Sequence, residues 1–112
     1  MTASDDALPT TSYAVVLTTV KSREDARQIA EKLLSERLAA CVQMLPIDSL
    51  YTWKGEMTAE SEVLLLVKTR REQYAEIEKA IVSVHNYETP EILLLPVAKG
   101  LPAYLSWIDE VT

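Results

Sequence analysis

Glycine, cysteine and histidine are nearly missing from this chain, and phenylalanine is missing altogether. Among 112 residues there are two glycines, one cysteine and one histidine. Two isolated glycines, Gly55 and Gly100, cannot form a Gly-rich phosphate loop. A lone Cys41 cannot close an internal disulfide, which points to a reducing compartment and makes the cytoplasm the expected location. A lone His85 leaves no Ser-His-Asp order with support, and no nucleophile elbow is present, so no enzymatic activity is expected. Basic residues are outnumbered: 11 Lys and Arg face 17 Asp and Glu, for a net charge of -6. That balance argues against nucleic acid and anionic membrane surfaces as partners. No apolar run approaches the roughly 20 residues of a membrane span. Residues 1–12 are polar, carry Asp5 and Asp6 and lack a basic n-region; they are expected to be a flexible tail and not a signal peptide.

What is present is a single domain, expected over residues 13–112. Ala14-Val15-Val16-Leu17 reads as a strand covered on both faces. Ser22 with Asp25 opens a helix whose stripe is Ala26, Ile29, Ala30, Leu33 and Leu34. Residues 38–53 form a long extended segment in which Pro46 predicts an edge strand with a bend or bulge. Lys54-Gly55-Glu56 turns into a strand over about 57–69, whose centre Val63-Leu64-Leu65-Leu66-Val67 is apolar on both faces. Thr69 with Glu72 predicts a capping box for a second helix with Tyr74, Ile77, Ile81 and Val84 buried. Pro90 bars helix at Thr89, and Glu91–Val97 reads as the last strand. Gly100 and Pro102 start a short final helix.

The order β-α-β-β-α-β plus a terminal helix predicts an α+β, ferredoxin-like fold with both main helices on one face of an antiparallel sheet. The doubly apolar third strand and an edge bearing Tyr51 and Trp53 conflict with an isolated protomer, so a homo-oligomer is expected.

Five motifs then carry a resemblance over about residues 13–109. They are Ala39-Ala40-Cys41-Val42, Ser49-Leu50-Tyr51-Thr52-Trp53-Lys54-Gly55, Leu66-Val67-Lys68-Thr69, His85-Asn86-Tyr87-Glu88-Thr89-Pro90-Glu91-Ile92 and Tyr104-Leu105-Ser106-Trp107. In this order they closely resemble the CutA divalent-cation-tolerance family. The resemblance implies a ferredoxin-like protomer, a homotrimer similar to the PII signalling proteins, and a role in tolerance of divalent metals, copper especially. Family members with a copper site can carry Cys in the first strand and a His-His pair. The matching positions here are Thr18, Val84 and His85, so only His85 is retained.

His85 has two readings. It can favour the negative end of a helix dipole and bond a terminal carbonyl, or it can ligate copper or another divalent metal, with Glu88 and Glu91 supplying oxygens. Cys41, between Ala40 and Val42, reads chiefly as a small core residue. Tyr51, Trp53, Lys54, Glu62, Lys68, Tyr87 and Trp107 form a second set, read either as trimer packing or as the lining of an inter-subunit cleft. Glu62 and Lys68 share one face of a strand by period two. Lys54 and Lys68 beside aromatic side chains suit an anion, so the alternative to metal binding is a PII-like sensor for a small metabolite or a partner protein.

Overall fold

The computed structural model describes residues 11–112; most of the expected tail lies outside the described residues. Four strands form one antiparallel sheet: β1 (Tyr13–Val20), β2 (Cys41–Trp53), β3 (Glu56–Arg70) and β4 (Ile92–Pro96), in the order β2-β3-β1-β4. Helix α1 (Arg23–Ser35) joins β1 to β2, α2 (Tyr74–Val84) joins β3 to β4, and α3 (Pro102–Val111) follows β4. Both crossovers place their helices on the same face. There Val16, Val20, Leu65 and Val67 of the sheet pack against Ile29 and Leu33 of α1 and Ile77 and Ile81 of α2.

Local chemistry explains most of the boundaries. The Ser22 hydroxyl accepts from the Asp25 N–H at 3.1 Å, capping α1 as expected. The helix ends with Arg37 in the left-handed region, φ 57°, while the Leu38 N–H reaches the Leu33 carbonyl at 2.9 Å and the Arg37 N–H the Leu34 carbonyl at 3.1 Å. That double bond pattern is a Schellman stop, achieved here without glycine. Lys54 and Gly55 both have positive φ, 50° and 82°, so the β2–β3 connection is a two-residue turn of the type that matches strand twist.

Several expectations need correction. Pro46 makes no bulge: the register runs without slip from Cys41↔Lys68 through Pro46↔Val63 to Trp53↔Glu56. An edge strand tolerates the missing donor. Thr69 caps nothing. It lies buried in β3 and its hydroxyl donates to the Leu38 carbonyl at 2.6 Å, while Glu72 sits in a short 3-10 turn (Arg71–Gln73) and pairs with Arg70. Leu34 and Val84 are exposed, each at the solvent edge of its helix, and Ala80 takes the buried place in α2.

The pleat assigns the opposite, open face. Leu17, Leu45, Leu64, Leu66, Leu93 and Leu95 share it by register. Helix α3 covers only one end. There Tyr13 donates to Asp109 at 2.6 Å, Arg70 donates to Thr112 at 2.9 Å, and the Lys68 ammonium lies 5.7 Å from the Tyr104 ring centroid. Beyond α3 the face stays open, with Leu93 53% and Leu95 49% exposed.

One buried polar atom is unpaired. Thr18 is fully buried on the helix side of β1, and its hydroxyl has no hydrogen-bond partner among the described residues. An unpaired buried hydroxyl costs about 1–3 kcal/mol, and valine has nearly the same shape. Thr18→Val is therefore expected to raise stability by about 1 kcal/mol in guanidinium unfolding at fixed protein concentration. A lower unfolding midpoint would mean that the hydroxyl has a partner.

Candidate functional site

β1 pairs with β3 only from Val20↔Val63 to Tyr13↔Arg70, so the rest of the β2–β3 hairpin projects as a two-stranded arm. The segment between α2 and β4 folds back toward this arm. Between them is a cleft of about 900 Å³. Tyr51, Trp53 and Lys54 line it from the arm, Glu60 and Glu62 from its base, and Tyr87, Glu88 and Glu91 from the returning segment.

Glu62 is the structural centre of the cleft. It is only 7% exposed, and it accepts a 2.7 Å hydrogen bond from the Tyr87 hydroxyl. Burial first, and then the Glu62 contact, push the Tyr87 phenol well above its usual range, so it remains a donor. Burial first, and then the nearby Glu60 carboxylate, raise the Tyr51 phenol in the same sense. Two tyrosines thus face two carboxylates two residues apart on one strand face.

His85 sits behind this arrangement and not in the cleft lining. Its Nδ1 accepts from the Tyr87 N–H at 3.1 Å, which leaves the proton on Nε2 to donate to the Thr19 carbonyl at 2.8 Å. The two rings meet edge-on, centroids 4.8 Å apart. Both ring nitrogens are committed within the chain, so the imidazole has no free lone pair for a metal. Among the described residues no group of three or more His, Cys, Asp or Glu side chains is placed to hold a metal ion. Glu88 and Glu91 line the cleft as separate carboxylates. A multidentate metal centre in one chain therefore does not fit the residues present.

The second set divides. Tyr51, Trp53, Lys54, Glu62 and Tyr87 line this cleft; Lys68 and Trp107 do not. Lys68 does share the face of Glu62, but six residues of strand separate them by roughly 20 Å. Lys68 lies instead over Tyr104, whose ring is 5.5 Å from that of Trp107. Cys41 is half-buried on the open face opposite Lys68, not in the core. The cleft is also acidic: Asp48, Glu60, Glu62, Glu88 and Glu91 line it against Lys21 and Lys54. That charge disfavours the anion suggested by the lysines. Glu60 and Asp48 escaped the sequence reading. The signal for Glu60 was its spacing of two from Glu62, which puts both on one face.

A four-stranded antiparallel sheet in this order, backed by two helices, with an acidic and aromatic cleft beside its projecting arm, defines a ferredoxin-like α+β protein. The family model of the CutA1 divalent ion tolerance protein matches residues 14–111, and the chain belongs to that family. The divalent-cation tolerance protein CutA of Thermus thermophilus is 46% identical over 99 residues, 88% of this chain and 96% of that protein. That of Archaeoglobus fulgidus is 44% identical over 92 residues, 82% of this chain and 90% of that protein. Their solved structures superpose with TM-scores of 0.86 for Thermus and 0.87 for Archaeoglobus. The first aligns at 46% identity over 89% of this chain and 98% of that one; the second aligns at 40% over 88% and 97%.

Proposed function

We propose that the protein is a cytoplasmic, homotrimeric divalent-cation tolerance protein whose acidic cleft, and not His85, receives the cation, copper included. The single observation that carries this reading is the cleft's charge, five carboxylates against two lysines. Low-dielectric walls beside such a surplus concentrate cations locally. The carboxylates of one chain are dispersed, so each metal ion is held weakly and by oxygen donors. Family membership supplies the divalent-cation role. The exposed leucines of the open face and the outer edge of β2, unpaired among the described residues, supply the reason to assemble.

A second reading rests on a different observation. Tyr51, Trp53 and Tyr87 give the cleft aromatic walls, which suit a small-molecule ligand in a PII-like sensor.

The test is a copper titration of tag-free protein against a competing chelator. Weak binding is expected, reduced in Glu60→Gln and Glu62→Gln and unchanged in His85→Ala. Submicromolar binding lost in His85→Ala would overturn the assignment to the cleft carboxylates.

A further inference from the structure

Glu62 presents an unusual electrostatic problem. The residue is more than nine-tenths buried, and the hydrogen-bond partner of its Oε2 is a neutral phenol. Glu60 stands two residues away on the same strand face. Among the described residues neither forms an ion pair with a lysine, arginine or histidine; the pairs present are Arg27–Glu31, Lys32–Glu36 and Arg70–Glu72. Both carboxylates are therefore open to pairing with a cation that enters the cleft.

The surroundings define that cation. A tightly held metal ion wants three or more converging ligands, which the described residues do not provide, so weakly held metal leaves room for a better-matched cation. The carboxylates are instead spread along the cleft, and its walls are aromatic and apolar: Tyr51, Trp53, Tyr87 and Leu50. At the mouth the chain supplies its own example of the fitting chemistry. The Lys54 ammonium, an alkylammonium, lies 5.6 Å from the Trp53 ring centroid, within cation–π range. Side chains two residues apart on a strand face are about 7 Å apart. A staggered four-methylene chain holds its terminal nitrogens about 6 Å apart. Glu60 and Glu62 therefore match the charge spacing of a linear diamine, whose methylenes would lie along the rings.

We infer that the cleft is a binding site for linear aliphatic di- and polyamines, held by Glu60 and Glu62 and flanked by Tyr51, Trp53 and Tyr87. The inference rests on the cleft being a cation site and names the class of cation. One ammonium donates to Glu62 at the buried end and the next to Glu60. A longer amine extends toward Glu88 and Glu91, and Lys54 gives up its place on Trp53.

Calorimetric titration of the full-length protein with putrescine and spermidine, beside copper and magnesium salts at matched ionic strength, tests this. Spermidine is expected to bind more tightly than putrescine, at one per protomer, and to survive excess magnesium. Each of Glu60→Gln and Glu62→Gln should weaken it about tenfold, the effect of one lost charge-assisted hydrogen bond. Glutamine keeps the acceptor for Tyr87. Circular dichroism confirms folding of each variant, and Glu60→Gln, at a half-buried position, carries the test if Glu62→Gln unfolds. Carboxylate-dependent copper binding without amine binding would overturn the inference and leave the cation cleft standing. Binding of neither would overturn both, with the neighbouring copy's side chains then pairing Glu62. Amine binding indifferent to both variants, or abolished by magnesium, would be surface screening and would also overturn it.

Discussion

Leu66→Glu is expected to leave the protein monomeric at micromolar concentration, where the proposed trimer would otherwise form. Leu66 is central on the open face, paired with Leu17 on one side and Gln43 on the other, with Leu64 two residues along. Leu93 and Leu95 extend the same apolar surface across β1 onto β4, and both are about half exposed in the single chain. Packing three such faces together removes leucine side chains from water at about 1.5–3 kcal/mol each. A glutamate at the centre forfeits that gain and adds the cost of burying a charge among leucines. The expected loss is at least about 3 kcal/mol per protomer, a fall of more than about 10 °C in melting temperature. Leu34→Glu is the control. Leu34 is 43% exposed, but on α1, away from this face, and its substitution should leave the trimer intact. Light scattering decides: a trimeric Leu66→Glu, or a monomeric wild type, would remove the open face as the assembly surface.

That face was legible before any coordinates, because Val63-Leu64-Leu65-Leu66-Val67 is apolar at both parities and helices cover only one. The element order was equally legible, since Ser22 caps α1 and Pro102 opens α3 as their chemistry dictates. The errors share one cause: a local pattern was satisfied by a tertiary partner. Thr69-x-x-Glu72 fits a capping box, yet the Thr69 hydroxyl is taken by the Leu38 carbonyl from a distant part of the chain. Pro46 fits a bulge, yet an edge position removes the need for one.

The cleft shows the same limit. Period two placed Glu62 and Lys68 on one face correctly, but parity carries no distance: Glu62 lies mid-strand and Lys68 near the end of β3. Glu60 and Asp48 reach the cleft through the hairpin register, which the two-residue Lys54-Gly55 turn determines. A reading of the 85–91 stretch by itself could not place those two residues against it. The same register sets Tyr51 diagonally across from Glu60, which is why that phenol and carboxylate meet.

His85→Ala is expected to cost about 3 kcal/mol of stability while leaving copper affinity unchanged. The imidazole joins three pieces of chain: the end of α2, where the His85 N–H donates to the Ile81 carbonyl at 2.9 Å, the Thr19 carbonyl at the end of β1, and the Tyr87 N–H. Thr19 is buried, so alanine strands its carbonyl and leaves the Tyr87 N–H without its acceptor, each at about 1–3 kcal/mol. Tyr87 retains its own bond to Glu62, so the loss loosens the returning segment while the cleft carboxylates stay in place. Two conservative variants separate the bonds. Asparagine places its carbonyl oxygen near the Nδ1 position and can accept from the N–H two residues on. Glutamine places an amide N–H near the Nε2 position and can donate to Thr19. Each should regain roughly half of the lost stability, because each restores one of the two bonds. A metal ligand behaves differently: asparagine and glutamine are poor replacements for imidazole toward copper, so neither would restore affinity. Guanidinium unfolding and chelator-competed copper titration on the same three variants therefore distinguish the roles. Partial stability rescue with constant copper affinity identifies His85 as the residue that holds Tyr87 against Glu62, whereas affinity lost in all three identifies it as a ligand.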